Sequence, residues 1–200
     1  MAGWDYEQQA REQGYASVCG CDEAGAGPLA GPVYAGAVIL PFGVEIPGLD
    51  DSKKLTEKRR EVLSPVIQEL ALAWSVARVE AEEIDRTDIL SARMKAMQLA
   101  MDALEIKPDF ALVDGNRDHG RRFAITTPHR CVVKGDSLSA SIAAASILAK
   151  VSRDRFMVEQ DRLYLAYGFA RHKGYGTAQH REAIARLGPC PIHRRTFLKG

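Results

Sequence analysis

Four acidic residues stand where apolar segments of the chain end, and their side chains could carry chemistry. Asp22 and Glu23 follow the apolar run SVCGC, Asp114 ends FALVD, and Asp136 follows VVKG. In an open α/β sheet, side chains at strand ends and helix starts converge on one crevice. We therefore predict that the four carboxylates meet at one edge of a sheet.

A cluster of carboxylates is the typical binding site of hard divalent cations. Like charges held close together raise one another's pKa, and bound cations normally neutralise such a group. Because no His or Cys stands at ligand spacing, the oxygen donors favour Mg²⁺ or Mn²⁺ over zinc. Two acids also have a purely structural interpretation, since Asp136 could cap a helix and Asp114 could belong to a turn. Asp22 and Glu23 have no obvious structural task.

The first acids are followed by the glycine-rich segment EAGAGPLAG, residues 23–31. Glycines allow backbone N–H groups to approach a ligand closely. The segment lacks the Gly-Lys-Ser/Thr of a phosphate-binding P-loop, and an apolar strand pattern follows it, which argues against a nucleotide-cofactor loop. Close backbone approach to some other ligand stays open.

The elements that must position these residues alternate between strand and helix patterns. Strands are predicted at residues 17–21, 32–40, 72–80, 110–114 and 130–134. Helices are predicted at residues 55–70, 88–104, 137–156 and 177–187, with Pro65 kinking or splitting the first. This alternation indicates an α/β domain with a mixed sheet and helices on its faces.

The composition of the 200 residues predicts one globular domain, since 46% are hydrophobic and 26% are charged. We assign residues 1–200 to that domain and residues from about 160 to 200 to a small helical C-terminal part. The net charge of +1 hides a gradient, from seven acids and one arginine in residues 1–50 to ten basic and four acidic residues in 151–200. An acidic end and a basic end suit a cation site beside a phosphate-binding surface.

Several function classes are disfavoured by what the sequence lacks. No apolar stretch reaches the ~20 residues of a membrane helix, and the acidic N-terminus does not match a signal peptide, so we predict a cytoplasmic protein without membrane contact. Four scattered cysteines predict buried, unreactive thiols rather than disulfides. We expect a monomer, because the chain has neither a heptad seam nor a surplus apolar face.

Six ordered blocks of the sequence resemble ribonuclease HII, the bacterial type 2 ribonuclease H. They are CDEAGAGPLAGPV (21–33), LDDSKKLTEKRR (49–60), VDGN (113–116), KGDSLSASIAAASILAKVSRDR (134–155), YGFARHKGYGT (167–177) and HRRTF (193–197). The resemblance implies a ribonuclease H-like fold with a central mixed β-sheet flanked by helices. It also implies a metal-dependent endonuclease that cuts the RNA strand of RNA–DNA hybrids, or a single ribonucleotide in duplex DNA, leaving 5′-phosphate and 3′-hydroxyl ends.

The metal-binding, catalytic acids of that family match Asp22, Glu23, Asp114 and Asp136 in this chain. The implied cofactors are two Mg²⁺ or Mn²⁺ ions, which activate the attacking water and stabilise the leaving 3′-oxygen. We assign Asp22 and Asp114 to sharing the metals, with Glu23 and Asp136 completing their coordination.

The resemblance also implies which residues contact the nucleic acid. Tyr175 matches the tyrosine that packs on the sugar beyond the ribonucleotide, and Lys53 and Lys173 match phosphate contacts. Arg194 and Arg195 either add further phosphate contacts or are ordinary surface residues without a role in binding.

One block departs from the family pattern, because Gly25-Ala26-Gly27 stands where the family usually has Gly-Arg-Gly. The two glycines leave backbone contacts to the ribonucleotide 2′-OH possible, and that hydroxyl distinguishes RNA from DNA. An arginine contact to phosphate is lost. The alternative function is therefore a weakly active or non-catalytic protein that binds RNA–DNA junctions.

Overall fold

The computed structural model describes residues 2–198, and within that range five strands form one mixed sheet. The strands are β1 (Val18–Ala24), β2 (Val33–Ile39), β3 (Ala73–Val79), β4 (Phe110–Asp114) and β5 (His129–Val132). Their order across the sheet is β3-β2-β1-β4-β5. Strand β1 is antiparallel to β2 and parallel to β4, β3 is antiparallel to β2, and β5 is parallel to β4. The predicted α/β class with a mixed sheet is confirmed.

Helices cover both faces of this sheet. They are α1 (Asp5–Glu12), α2 (Glu57–Leu70), α3 (Ala81–Arg86), α4 (Ile89–Asp102), α5 (Gly135–Leu138), α6 (Ala140–Leu163), α7 (Phe169–His172) and α8 (Ala178–Leu187), with 3₁₀ turns at Leu165–Tyr167 and Arg195–Leu198. Helix α4 packs on one face, where Met94, Met97 and Met101 are buried, and α6 packs on the other. None of the helices within residues 2–198 is long and apolar enough to cross a membrane.

Glycines in the sheet explain how closely α6 approaches it. A Cβ on Gly20 would lie 2.1 Å from the Ser141 carbonyl carbon, and one on Gly36 would lie 2.4 Å from the Ala145 oxygen. Because both neighbours are backbone atoms, only glycine fits at these two positions. The alanine-rich half of α6 therefore lies directly on β1 and β2.

Two element predictions need correction, and one helix was not predicted. The helix predicted over 137–156 is two helices, because Ser139 is extended and caps α6 by accepting a hydrogen bond from the Ile142 N–H at 3.2 Å. Helix α2 runs unbroken through Pro65. The N-terminal helix α1 was not predicted, and its buried Glu7 accepts hydrogen bonds from the Ser139 hydroxyl and the Ser141 N–H.

The C-terminal segment, residues 165–198, packs beside α6 around a small apolar cluster that includes Met157, Tyr167 and Phe169. Main-chain hydrogen bonds join this segment to the loop after β1: Leu29 N–H donates to Gly174, Gly31 N–H to Ile192, and Arg194 N–H to Leu29. The basic end of the sequence is thereby attached to the glycine-rich loop that follows the first acids.

Candidate active site

Three aspartates form a cluster at one edge of the sheet, and we call Asp22, Asp114 and Asp136 the acidic triad. One carboxylate oxygen of each lies within 4.8 Å of the others. The parallel pairing of Cys21 with Val113 places Asp22 and Asp114 side by side, Asp114 as the last residue of β4 and Asp22 two residues before the end of β1. The chain turns at Lys134, whose φ of 57° is left-handed, and the Asp136 N–H then donates to the Asp114 Oδ1 at 3.2 Å.

The electrostatics of the triad fit a divalent cation. Burial, followed by the charges of Glu23 and Asp114, raises the pKa of Asp22 well above its ordinary value. Burial and the charge of Asp136 raise the pKa of Asp114. An ionised carboxylate can accept hydrogen bonds but cannot donate one, so the three acids relieve neither their mutual repulsion nor their desolvation by pairing with one another. A cation bound among these oxygens would relieve both, and all-oxygen ligands suit Mg²⁺ or Mn²⁺.

The fourth predicted acid, Glu23, lies beside the triad but faces α4. Its Oε1 is 2.5 Å from an Arg93 guanidinium nitrogen, while its Oε2 is buried without a partner among residues 2–198. Burial raises the pKa of Glu23, and the charge of Arg93 opposes that rise. Sequence reasoning missed Arg93, because nothing local to helix α4 distinguishes it from a solvated arginine.

Lys53 lies next to the triad, on the loop before α2. Its Nζ is 2.7 Å from the Asp136 Oδ2. Burial alone would lower the pKa of Lys53, but the hydrogen bond to Asp136 and nearby carboxylates raise it. The Ser52 and Ser146 hydroxyl oxygens lie 2.6 Å apart, and the Arg60 guanidinium donates to the Ser52 carbonyl at 2.9 Å, so this loop is fixed to α6 and α2.

A cleft of about 210 Å³ joins the acids to part of the predicted substrate surface. Its lining residues are Asp22, Glu23, Ala24, Gly25, Ala26, Gly27, Ser52, Lys53, Asp114, Lys150 and Tyr175. Sequence reasoning missed Lys150, although it follows Ser146 by four residues and so shares a helix face with it. The Lys150 Nζ donates to Asp154 at 2.7 Å and lies 6.0 Å from the centre of the Tyr175 ring.

Two predicted basic contacts lie elsewhere. The Lys173 ammonium donates to the Ala170 carbonyl and lies 3.4 Å from Glu57, so it does not line this cleft. Arg194 is fully buried, which makes both of its predicted surface roles wrong. Its side chain is directed into the protein because it hydrogen-bonds main-chain carbonyls there. Arg195 is exposed, and its N–H donates to Asp85.

A chain of buried histidines supports the segment that carries Tyr175. The His180 Nδ1 lies 2.9 Å from the Tyr175 carbonyl, the Nε2 atoms of His180 and His193 lie 3.0 Å apart, and the Cys190 N–H donates to the His193 Nδ1 at 2.9 Å. Because a carbonyl only accepts, the His180 Nδ1 carries hydrogen and the His193 Nε2–H donates to the His180 Nε2. Burial lowers the pKa of His180 to about 4, which keeps this relay neutral.

Comparison with known proteins shows relatives along nearly the whole chain. The family model described as Ribonuclease HII matches residues 19–199. The chain is 55% identical over 196 residues to a ribonuclease HII of Geobacter sulfurreducens, covering 98% of this chain and 88% of that protein. It is 52% identical over 192 residues to a ribonuclease HII of Moorella thermoacetica, covering 96% of this chain and 91% of the relative.

Solved structures agree with the fold. The ribonuclease H2 of Pyrococcus horikoshii superposes with a TM-score of 0.74 at 27% identity, over 92% of this chain and all of that one. The ribonuclease HII of Archaeoglobus fulgidus, solved in complex with PCNA, gives 0.71 at 26% identity, over 90% and 94% of the two chains. Bst-RNase HIII, solved with Mn²⁺, shares the fold with a TM-score of 0.62 at 20% identity, over 88% and 72%.

These matches agree with the ribonuclease H-like sheet. The family model extends over most of the chain, and relatives more than half identical extend over nearly all of it. This chain belongs to the ribonuclease HII family and is an endoribonuclease.

Proposed function

We propose that this enzyme hydrolyses the RNA strand of RNA–DNA hybrids and cuts at single ribonucleotides within duplex DNA, leaving 5′-phosphate and 3′-hydroxyl ends. The observation that carries the proposal is the acidic triad, with carboxylate oxygens within 4.8 Å of one another. The cleft beside it holds main-chain N–H groups and an exposed tyrosine, which are suitable contacts for a ribose and its phosphates.

Two divalent cations, Mg²⁺ or Mn²⁺, fit the oxygen donors of this site. When bound, such ions activate the attacking water and stabilise the leaving 3′-oxygen. We assign Asp22 and Asp114 to sharing the ions, and Asp136 and Glu23 to completing their coordination. The unpartnered Oε2 of Glu23 supports its place in the set. The Mn²⁺ complex of Bst-RNase HIII is consistent with this choice of metal.

The remaining predicted residues act on the substrate rather than on the metals. We assign Tyr175 to packing on the sugar beyond the ribonucleotide, with 44% of its surface exposed at the cleft. Lys53 balances the charge of Asp136 and contacts a phosphate, and Lys173 contacts a phosphate farther along the strand. Gly25, Ala26 and Gly27 contribute backbone N–H groups.

We further propose one catalytic domain over residues 1–200, whose part from about residue 160 contacts the substrate. Its support is that residues of β1 and the C-terminal segment, such as Asp22 and Tyr175, line the same cleft. We expect a monomer. The proposed substrate is genomic nucleic acid, so we assign the enzyme to the cytoplasm, without membrane contact.

The test is cleavage of a labelled DNA duplex that contains one ribonucleotide, with an all-DNA duplex of the same sequence as control. We expect a single cut with Mg²⁺ or Mn²⁺, none after EDTA, and none in the control. Binding measured by fluorescence anisotropy separates the two candidate functions. Tight binding without a cut in either metal would overturn the proposal and favour a protein that only binds RNA–DNA junctions.

A further inference from the structure

Two fully buried arginines lie beneath the loop that follows β1. Arg194, from the C-terminal segment, donates from Nε to the Gly31 carbonyl at 2.9 Å and from its two terminal nitrogens to the Ala26 carbonyl at 2.8 Å and the Gly25 carbonyl at 2.6 Å. Arg153, from α6, donates to the Pro32 carbonyl at 3.2 Å and the Ala30 carbonyl at 3.1 Å. The loop thus directs five carbonyl groups toward two guanidinium groups.

The burial of Arg194 needs an explanation, because a charge taken out of water is costly unless it is well hydrogen-bonded. Burial lowers the pKa of Arg194 to about 9. Its hydrogen bonds within residues 2–198 all go to main-chain carbonyls, and such charge-assisted bonds are stronger than neutral ones. Two of the three fix peptides of the triplet Gly25-Ala26-Gly27, at the cleft wall.

The hydrogen bonds from Arg194 to the Gly25 and Ala26 carbonyls also determine where the neighbouring N–H groups point. In a planar trans peptide the C=O and the following N–H point in opposite directions, and no cis peptide occurs in the described chain. The carbonyls of Gly25 and Ala26 face Arg194, so the N–H groups of Ala26 and Gly27 face away from it. Neither N–H has a hydrogen-bond partner among residues 2–198, and both residues line the cleft.

We propose that Arg194 is a positioning residue, which orients the N–H groups of Ala26 and Gly27 as a fixed pair of donors for an oxygen of the substrate strand. The inference rests on the proposed function of the cleft. The orientation of these N–H groups matters in this chain because the alanine side chain at position 26 cannot form a hydrogen bond. The polar contacts of the triplet come from its backbone alone.

The experiment compares Arg194→Lys with Arg153→Lys. Both arginines are fully buried and bind loop carbonyls, but Arg153 makes no hydrogen bond to residue 25 or 26. Steady-state kcat and KM on the single-ribonucleotide duplex, the thermal midpoint, and the rise of that midpoint with Mn²⁺ would be measured for each. We expect kcat/KM to fall about tenfold or more in Arg194→Lys, with an unchanged Mn²⁺ response.

The control variant, Arg153→Lys, shows how much of the loss in kcat/KM comes from a general loss of stability. Arg153→Lys should lower kcat/KM by less than about threefold at a comparable loss of thermal midpoint. Equal losses in the two variants, or a loss below threefold in Arg194→Lys, would overturn the inference. A wild-type enzyme that fails to cut the duplex would instead contradict the proposed function, so the two failures are distinguishable.

A second variant keeps the test valid if Arg194→Lys does not fold. Gly27→Pro removes one of the two proposed donors, since proline has no N–H. An added Cβ at Gly27 meets no atom within 4 Å, so the first side-chain carbon is accommodated. We expect a loss of kcat/KM of about tenfold, and retention within threefold of wild type would contradict the role of this N–H.

Discussion

The two walls of the cleft are built from different kinds of structure. On the acidic wall, Asp22 and Asp114 lie on neighbouring parallel strands, and the register of the sheet brings them together. On the opposite wall, residues 25–27 and Tyr175 lie on loops, which Arg194 and His180 hold through main-chain carbonyls. A sheet can hold repelling charges close together because its backbone ladder fixes them, whereas a loop must be held by contacts distant in sequence.

The walls also respond to burial in opposite ways. Burial raises the pKa of Asp22 and lowers the pKa of His180, and both shifts favour the neutral form. A divalent cation restores the ionised form of the acids, but nothing in the described chain does the same for the histidines. The acidic wall is therefore suited to bind cations, and the histidines that support the opposite wall stay neutral.

The largest effect is expected from a substitution that disrupts only the acidic wall. Asp114→Asn removes one ligand while leaving the loops untouched, so we expect turnover in Mg²⁺ to fall about a hundredfold or more, with substrate affinity within about threefold of wild type. Single-turnover cleavage and anisotropy would measure the two quantities. The control is Asp118→Asn, which changes an acid outside the cleft lining and should retain activity. Cleavage above about a tenth of the wild-type rate would refute the role of Asp114.

The same substitution should separate metal binding from folding. Mn²⁺ at a hundred times its dissociation constant should stabilise the wild type by about 2.7 kcal/mol, because it binds only the folded state. Asp114→Asn should lose most of that gain. In EDTA it should be at least as stable as wild type, since it removes a buried like charge. Urea denaturation with and without Mn²⁺ measures both, and an undiminished Mn²⁺ response would contradict the site.

The third prediction concerns the neutral wall. The pKa of His180 is lowered to about 4 from an ordinary 6.5, so the unfolded chain binds a proton first as the pH falls. Its contribution to stability is complete above pH 6.5 and declines toward pH 4, by about 2 kcal/mol between pH 7 and pH 5. Urea denaturation at both pH values should show a pH dependence smaller by that amount in His180→Asn.

The buried carboxylates titrate with the opposite sign, so only the difference between variant and wild type is diagnostic. An unaltered pH dependence in His180→Asn would show that folding does not lower the pKa of His180.

A smaller effect should follow from adding charge to the loop wall. Ala26→Arg places at the cleft the side chain that the family usually carries, and we expect kcat/KM at low salt to rise about tenfold. The gain should shrink as salt increases, because an added phosphate contact steepens the salt dependence. Ala26→Gln controls for length without charge. An absence of gain at low salt would mean that this loop acts through its backbone alone.

The smallest effect is expected at Tyr175. Tyr175→Ala should lower cleavage of a single embedded ribonucleotide more than cleavage of a continuous hybrid, by roughly three- to fivefold, because it removes the surface that contacts the sugar beyond the cut. Tyr175→Phe keeps the ring and should behave as wild type. Equal losses on both substrates would leave Tyr175 with a packing role only.

The sequence was sufficient for the features that depend on local pattern. The apolar run ending in Asp114 predicted the end of β4, whereas β1 continues through Asp22 and Glu23 to Ala24. The alternation of strand and helix patterns predicted the α/β sheet. Three of the four acids meet because strand ends in such a sheet share an edge. The resemblance to ribonuclease HII then supplied the substrate, which neither composition nor spacing contained.

Tertiary structure decided the features that depend on partners distant in the chain. Glu23 faces Arg93, seventy positions away, and Arg194 turns inward to carbonyls at residues 25, 26 and 31. The break at Ser139 accompanies contacts with Glu7, on a helix that the sequence pattern did not reveal. An arginine or a histidine has the same local signature whether solvated or buried, because its burial depends on which acceptors the folded chain brings within hydrogen-bonding distance.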